Sequence, residues 1–313
     1  LTIAAGVSFY KSRNLAEPVV LGPGVTGVKK LSHYFSGLEG TINDANIYFL
    51  EGAEPGGTML VLGGTHPEEP AGRLTTWILT ENAVVDQGRL IVVNSANRSA
   101  TTVTRLGGAY PPDYTIETPW GEQTFRMGDR WSNPLDQWPD PEVYIHYPSR
   151  QELAYVDIRN LNRTWPGRAN GTITEKTCYA LTELIKKEEV DIVIDLHEAE
   201  LQYPVISTIV AHDKGQDMAA MASMVISGEE GFEIGMEYSP EALRGLSTPR
   251  RALLTCAFGK RSNPRRNRPV KRVAAPSHSH TVDVPPVPAS SIGTTAAGAA
   301  VVGAAVGSGT VVA

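Results

Sequence analysis

The stretch that most limits what this chain can fold into is residues 58–72, TMLVLGGTHPEEPAG. An apolar run over 59–62 reads as a buried strand, and Gly63 and Gly64 let the backbone turn. Pro70 opens a helix, because proline's missing N–H would be unpaired in a first helical turn in any case. His66 and Glu69 therefore fall in a loop at the carboxyl end of a strand, where open α/β sheets hold their ligands. A neutral imidazole and a carboxylate three residues apart can share one zinc ion. Catalytic zinc usually takes three protein groups and keeps a fourth position for water, so a third ligand must come from elsewhere.

The helix is expected over about 70–85 and a second strand over 89–94, a βαβ spacing that predicts a parallel or mixed sheet. Ahead of it, residues 19–57 alternate apolar and polar positions like short antiparallel strands, 45–50 most clearly. Residues 107–149 are rich in Pro, Trp, Tyr and Gly, show neither period, and read as an ordered cover. A second helix is expected over about 174–189. Thr174 or Thr172 caps it, and Tyr179, Leu181, Leu184 and Ile185 form its apolar face. A strand over 205–210 and a helix over 215–226 follow. Residues 1–10 are too short to span a bilayer and read as a first strand, ahead of the remnant of a clipped signal or anchor.

Residues 191–196, DIVIDL, form a buried strand that ends at His197, repeating the arrangement at His66. His66, Glu69 and His197 would then converge above two adjacent strands, with bound water polarised toward hydroxide. Asp195 precedes His197 by two, so in a strand it points the same way and can hold the imidazole by its second N–H. Taken singly, His66 reads as a satisfied loop histidine and Glu69 as a helix-start carboxylate favoured by the dipole. Jointly they read as one zinc site per chain. His33, His146 and His212 are expected to be structural. Asn97, Asn162 and Asn170 fit the short glycosylation pattern.

Three segments in order, GGTHPEEPAG (63–72), NLNRTWPG (160–167) and DLHE (195–198), resemble the signatures of the succinylglutamate desuccinylase/aspartoacylase family, within the wider zinc carboxypeptidase group. The resemblance spans about 58–212. It implies a mixed α/β sheet between helix layers, a three-layer sandwich, and a zinc held by His66, Glu69 and His197. Asn162 and Arg163 would grip a substrate carboxylate, which a guanidinium fork matches bidentately. Arg159 or Arg150 would stabilise the oxyanion. Two positions depart from the pattern: Pro67 stands where a glycine is usual, and Asn160 where an aspartate is common. The general base in such proteins is a glutamate in a later strand, and this chain has no Glu after Glu241. Glu229, Glu230, Glu233 and Glu237 are candidates by default.

Charge divides the chain. The formal total is −6, but up to Arg250 there are 20 Lys and Arg against 33 Asp and Glu, and beyond it 8 against 1. The acidic part argues against a nucleic-acid partner. The basic, Pro-rich and then Gly/Ala-rich tail has too few large apolar side chains to offset its ordering entropy. The domain is accordingly expected over 1–250, with 251–313 a disordered or non-native tail that holds no site residue. A C-terminus altered from near Arg250 accounts for both the composition and the missing base. Two cysteines without a CxxC pair argue against a thiolate metal site and leave the compartment open. A soluble cytoplasmic protein stands ahead of an exported or anchored one, and a membrane partner is not expected.

The first expectation is a zinc-dependent hydrolase that removes an acyl group from an N-acyl amino acid or related small carboxylate. The alternatives are a zinc carboxypeptidase acting on peptides or cell-wall fragments, and a zinc-binding protein whose catalysis is impaired.

Overall fold

The computed structural model describes residues 2–104, 111–198, 207–231, 233–238, 245–246, 252–258 and 311–312. The chain begins with α1 (Thr2–Arg13), β1 (Val25–Lys30), β2 (Asn46–Glu51) and β3 (Glu54–Leu62). Then come α2 (Pro70–Asn82), β4 (Val84–Val85), β5 (Gln87–Val93) and the hairpin β6 (Asp113–Thr118) and β7 (Gly121–Arg126). After β8 (Tyr144–Ile145) and β9 (Glu152–Leu153) follow α3 (Ile173–Lys187), β10 (Ile192–Glu198), β11 (Thr208–Ala211) and α4 (Gln216–Val225). The last strands are β12 (Gly235–Tyr238), β13 (Ala252–Phe258) and β14 (Val311–Val312).

Eight strands form one mixed sheet in the order β1-β2-β5-β3-β10-β13-β11-β12. Its middle is parallel: β3 pairs with β5 and β10, and β10 with β13. The β1–β2, β2–β5 and β11–β13 pairs are antiparallel. Apolar runs fill β3 because both faces are covered. Met59 and Val61 pack with Leu79 of α2 and Ala219 and Ala222 of α4. Leu60 and Leu62 pack with Leu181, Leu184 and Ile185 of α3 on the opposite face. This is the helix–sheet–helix sandwich expected from the sequence, and each such buried Leu, Ile, Val or Met side chain contributes about 1.5–3 kcal/mol.

Two glycines of the 58–72 stretch have distinct physical jobs. Gly64 holds φ +68, a left-handed turn that lets the chain leave β3 toward His66. At Gly72 a Cβ would lie 2.6 Å from the carbonyl oxygen of Leu196, so its absence lets α2 press onto β10. Thr172, not Thr174, caps α3: its hydroxyl accepts from Glu175 N–H (3.3 Å) and Glu175 Oε2 accepts from Thr172 N–H (2.9 Å). Thr172→Ala is expected to lower stability by about 1 kcal/mol, read as a shift in denaturation midpoint with an unchanged slope.

Several expectations need correction. Residues 2–13 form a helix with no buried residue, not a first strand. The helix α2 ends at Asn82, and Val84–Val85 is a short strand. Within 107–149 the structure has a hairpin, Asp113↔Arg126 to Thr118↔Gly121, closed by Pro119 and Trp120. The side chains of Tyr114, Ile116 and Thr118 are half-buried while Asp113, Thr115 and Glu117 are exposed, an alternation that was present in the sequence. The sheet also runs past the boundary placed at Arg250, because β13 lies between β10 and β11. Val311–Val312 pairs with Val84–Val85. The rest of the expected tail lies outside the described residues, as does Gly107 to Tyr110 of the cover. No helix among the described residues is long and apolar enough to cross a membrane.

Candidate metal centre

Strand alternation aims the ligands. In β10, Ile194 and Leu196 pack on the α2 face while Val193 packs on the α3 face, so Asp195 and His197 share the latter. Register sets the second condition: Asp195 pairs with Leu62, the last residue of β3. His197 and the loop that follows β3 thus leave the sheet side by side. His66, Glu69 and His197 are all buried, and one donor atom from each lies within 4.8 Å of the others.

Glu69 is the hub. Its Oε1 lies 2.9 Å from His66 Nδ1, and its Oε2 lies 2.8 Å from His197 Nδ1. Oε2 also accepts from the backbone N–H of Glu198 at 3.0 Å. The outer nitrogen of each ring has its own partner. His66 Nε2 is 2.9 Å from Asn160 Oδ1, which also accepts from Asn162 N–H at 2.9 Å. An atom that accepts a backbone N–H is an oxygen, so His66 must carry its proton on Nε2. Its Nδ1 then presents a lone pair toward another acceptor, Glu69 Oε1. His197 Nε2 lies 3.1 Å from Asp195 Oδ2, although out of line for a hydrogen bond, and Asp195 Oδ1 accepts from Thr65 Oγ1 at 2.8 Å. The Asp195 position matches the geometric expectation from its spacing.

The electrostatics fit a cation. Burial lowers the His66 pKa and favours the neutral ring. Burial works against the charge on Glu69, yet His66 and His197 hold its carboxyl well below the usual carboxylate range. Burial also opposes charge on His197, but Asp195 and then Glu69 lift it to about 10. His66, Glu69 and His197 offer the imidazole and carboxylate donor types that zinc takes, and a metal held there would displace the proton that Asp195 and Glu69 favour on His197.

The structure also brings in two residues the sequence reading did not assign. Arg130 Nη2 donates to Glu69 Oε1 at 3.0 Å, Nη1 lies 3.3 Å from His66 Nδ1, and Nε faces Glu68 Oε1 at 3.0 Å. It arrives there because Trp131 forms an antiparallel bridge with Asn160, laying the cover beside the 160–163 turn. No spacing rule pointed to it. Asn160 was legible only as a departure from a pattern, yet it joins His66 to the turn Leu161–Arg163. Asn160→Ala is expected to weaken zinc binding by about 10- to 100-fold, measured by competition with a chromophoric chelator.

Other expected residues sit elsewhere or have different partners. Arg159 faces Asp140 at 3.1 Å and donates to the carbonyl of Ser132 at 3.2 Å. Arg150 is exposed with φ +66. Asn162 and Arg163 are half-buried, and Arg163 Nη1 donates to the carbonyl of Asn162 at 2.7 Å. Glu229, Glu233 and Glu237 are exposed, and among the described residues no hydrogen bond or ion pair joins them to the triad; the side chain of Glu230 lies outside the described part. His146 is buried between Ser149 and the Trp165 carbonyl, a structural role. Asn97 is fully buried, which removes it as a glycosylation site.

No family model matches the chain, and no curated protein matches it. Among solved structures it is similar to an aspartoacylase family protein from Mesorhizobium loti, with 20% identity over 69% of this chain and 55% of that one, and a TM-score of 0.39. A succinylglutamate desuccinylase/aspartoacylase from Rhodobacter sphaeroides gives 19% identity, 69% and 52% coverage, and a TM-score of 0.43. A metallo-carboxypeptidase from Burkholderia cenocepacia gives 13% identity, 96% and 67% coverage, and a TM-score of 0.47. The chain spans about half the length of the first two. The similarity is low in identity and partial in extent.

Proposed function

We propose that this chain is a zinc-dependent hydrolase that removes an acyl group from an N-acyl amino acid or a related small carboxylate. The observation that carries the reading is the shared amide oxygen of Asn160, which accepts from His66 of the triad and from Asn162 of the next turn. One atom thereby ties the metal ligands to the Asn162-Arg163 pair. When bound by His66, Glu69 and His197, zinc supplies a Lewis acid and lowers the pKa of water to near neutrality.

The protein's own residues do the rest. Asn160 and Asp195 stand behind the two imidazoles, so that little reorganisation accompanies binding. Arg163 offers a planar pair of donors to the substrate carboxylate and Asn162 adds an amide, which holds the scissile bond at a set distance from the triad. Arg130, beside Glu69, supplies a positive charge where an oxyanion develops.

A second reading is a zinc carboxypeptidase acting on peptides or cell-wall fragments. It draws on the exposed aromatic side chains of Trp138, Tyr147 and Tyr155, which give a longer substrate a surface to follow. A substrate panel on zinc-loaded protein separates the two. Release of amino acid from N-acetyl or N-succinyl amino acids, with a raised KM in Arg163→Ala, is the expected result. Cleavage of peptides without turnover of acyl amino acids overturns it in favour of the second reading. Stoichiometric zinc with neither activity leaves a metal-binding protein whose catalysis is impaired.

A further inference from the structure

A cavity of about 370 Å³ lies between the segment 15–21, the start of β2, the carboxyl end of β5 and Trp77 of α2. Neither His66, Glu69 nor His197 lines it. Its lining includes the polar side chains of Arg98, Arg126, Glu17 and Ser95 and the apolar or aromatic ones of Leu15, Tyr48 and Trp77.

The charges around it do not balance. Arg73 Nη2 donates to Glu17 Oε1 at 2.7 Å, and Arg126 Nη1 lies 3.6 Å from Glu17 Oε2. Arg13 pairs with Asp136 at 2.5 Å. Arg98 makes no side-chain hydrogen bond or ion pair among the described residues. It also borders a more open cavity beside Arg13 and Asp136. Among the described residues, four guanidinium groups thus stand against two bonded carboxylates. They are close enough to feel one another: burial depresses the Arg126 pKa, Glu17 opposes this, and Arg73, Arg98 and Arg13 add to it. Two further lining groups are short of partners, since the buried Asn94 Nδ2 and Arg126 Nε have none among the described residues.

An uncompensated positive charge next to apolar walls is costly where water is scarce, and a bound anion relieves it. Guanidinium groups match the oxygens of a carboxylate or phosphate, while Tyr48, Trp77 and Leu15 offer surface to an apolar body. We propose that this cavity is an anion-binding site separate from the metal centre. It takes a small organic carboxylate or phosphate with an apolar body; Arg98 holds the anionic end, and Arg126 adds positive charge beside it while its terminal nitrogens stay bonded to Thr101, Arg13 and Leu15.

The test uses the full chain and three probes, benzoate, phenyl phosphate and inorganic phosphate, followed by calorimetry and thermal shift at matched ionic strength. Saturable binding of benzoate or phenyl phosphate, tighter than that of inorganic phosphate, is the expected result. Preference between the first two tells a carboxylate ligand from a phosphate one. In Arg98→Gln the binding weakens by about tenfold or more, and Arg98→Lys recovers part of it. The zinc-site variant His66→Ala retains the anion response, which keeps this proposal separable from the hydrolase reading. A response equal to that of sodium chloride, or one unchanged in a folded Arg98→Gln protein, overturns it. Equal affinity for inorganic phosphate and phenyl phosphate overturns the role given to the apolar wall.

Discussion

His197→Ala is expected to take zinc from about one ion per chain to near none, because two donors, His66 and Glu69, cannot hold a site that needs three. The loss has a second component. Glu69 is buried and has an imidazole on each side, so removing one leaves its charge half-compensated. Breaking a buried pair in this way costs about 3–5 kcal/mol. Metal linkage adds to it: with free zinc about 1,000-fold above its dissociation constant, loss of binding removes about 4 kcal/mol of folding stability. Elemental analysis of dialysed protein reads the first component, and thermal melts with and without chelator read the second. In wild-type protein the chelator should lower Tm, and in His197→Ala it should not. Unchanged zinc content in the variant would remove the triad as the metal site.

Ending the chain at Arg250 is expected to abolish folding, whereas ending it at Pro264 should leave a folded protein that still binds zinc. The difference is β13, which pairs along seven residues with β10 and along four with β11. Each lost ladder hydrogen bond is worth about 0.5–1.5 kcal/mol, so the sum reaches the 5–15 kcal/mol that holds a domain together. Without β13 the strand β10, which carries His197, would present an unpaired edge. Circular dichroism and zinc content of the two truncations check this directly. A soluble, zinc-binding chain ending at Arg250 would show that β13 is dispensable, and loss of zinc from the chain ending at Pro264 would place a needed residue beyond it.

Local pattern made much of the molecule legible. The apolar run before Gly63, the proline at the start of α2 and the DIVIDL run before His197 are short-range signals, and each has a local physical cause. They determined the helices and strands that carry the three donors, the α/β class of the sheet, and the side on which Asp195 would stand behind His197. The family resemblance then pointed to Asn162 and Arg163 but treated Asn160 only as a substitution.

Tertiary structure alone decided the rest. Arg130 reaches Glu69 from 61 residues away because Trp131 bridges to Asn160, a pairing with no periodic trace in the sequence. Arg159, three residues from Asn162, is drawn instead to Asp140. The strand β13 looked like the start of a tail because composition averages over a window, while strand pairing depends on which edge a segment meets. Residues 2–13 went the other way, forming a helix with no buried face to mark it. Spacing along the chain determines which side chains share a face, because backbone geometry is local. Which faces meet is settled by packing among distant segments, and so the identity of the groups that surround the triad could be read only from the folded chain.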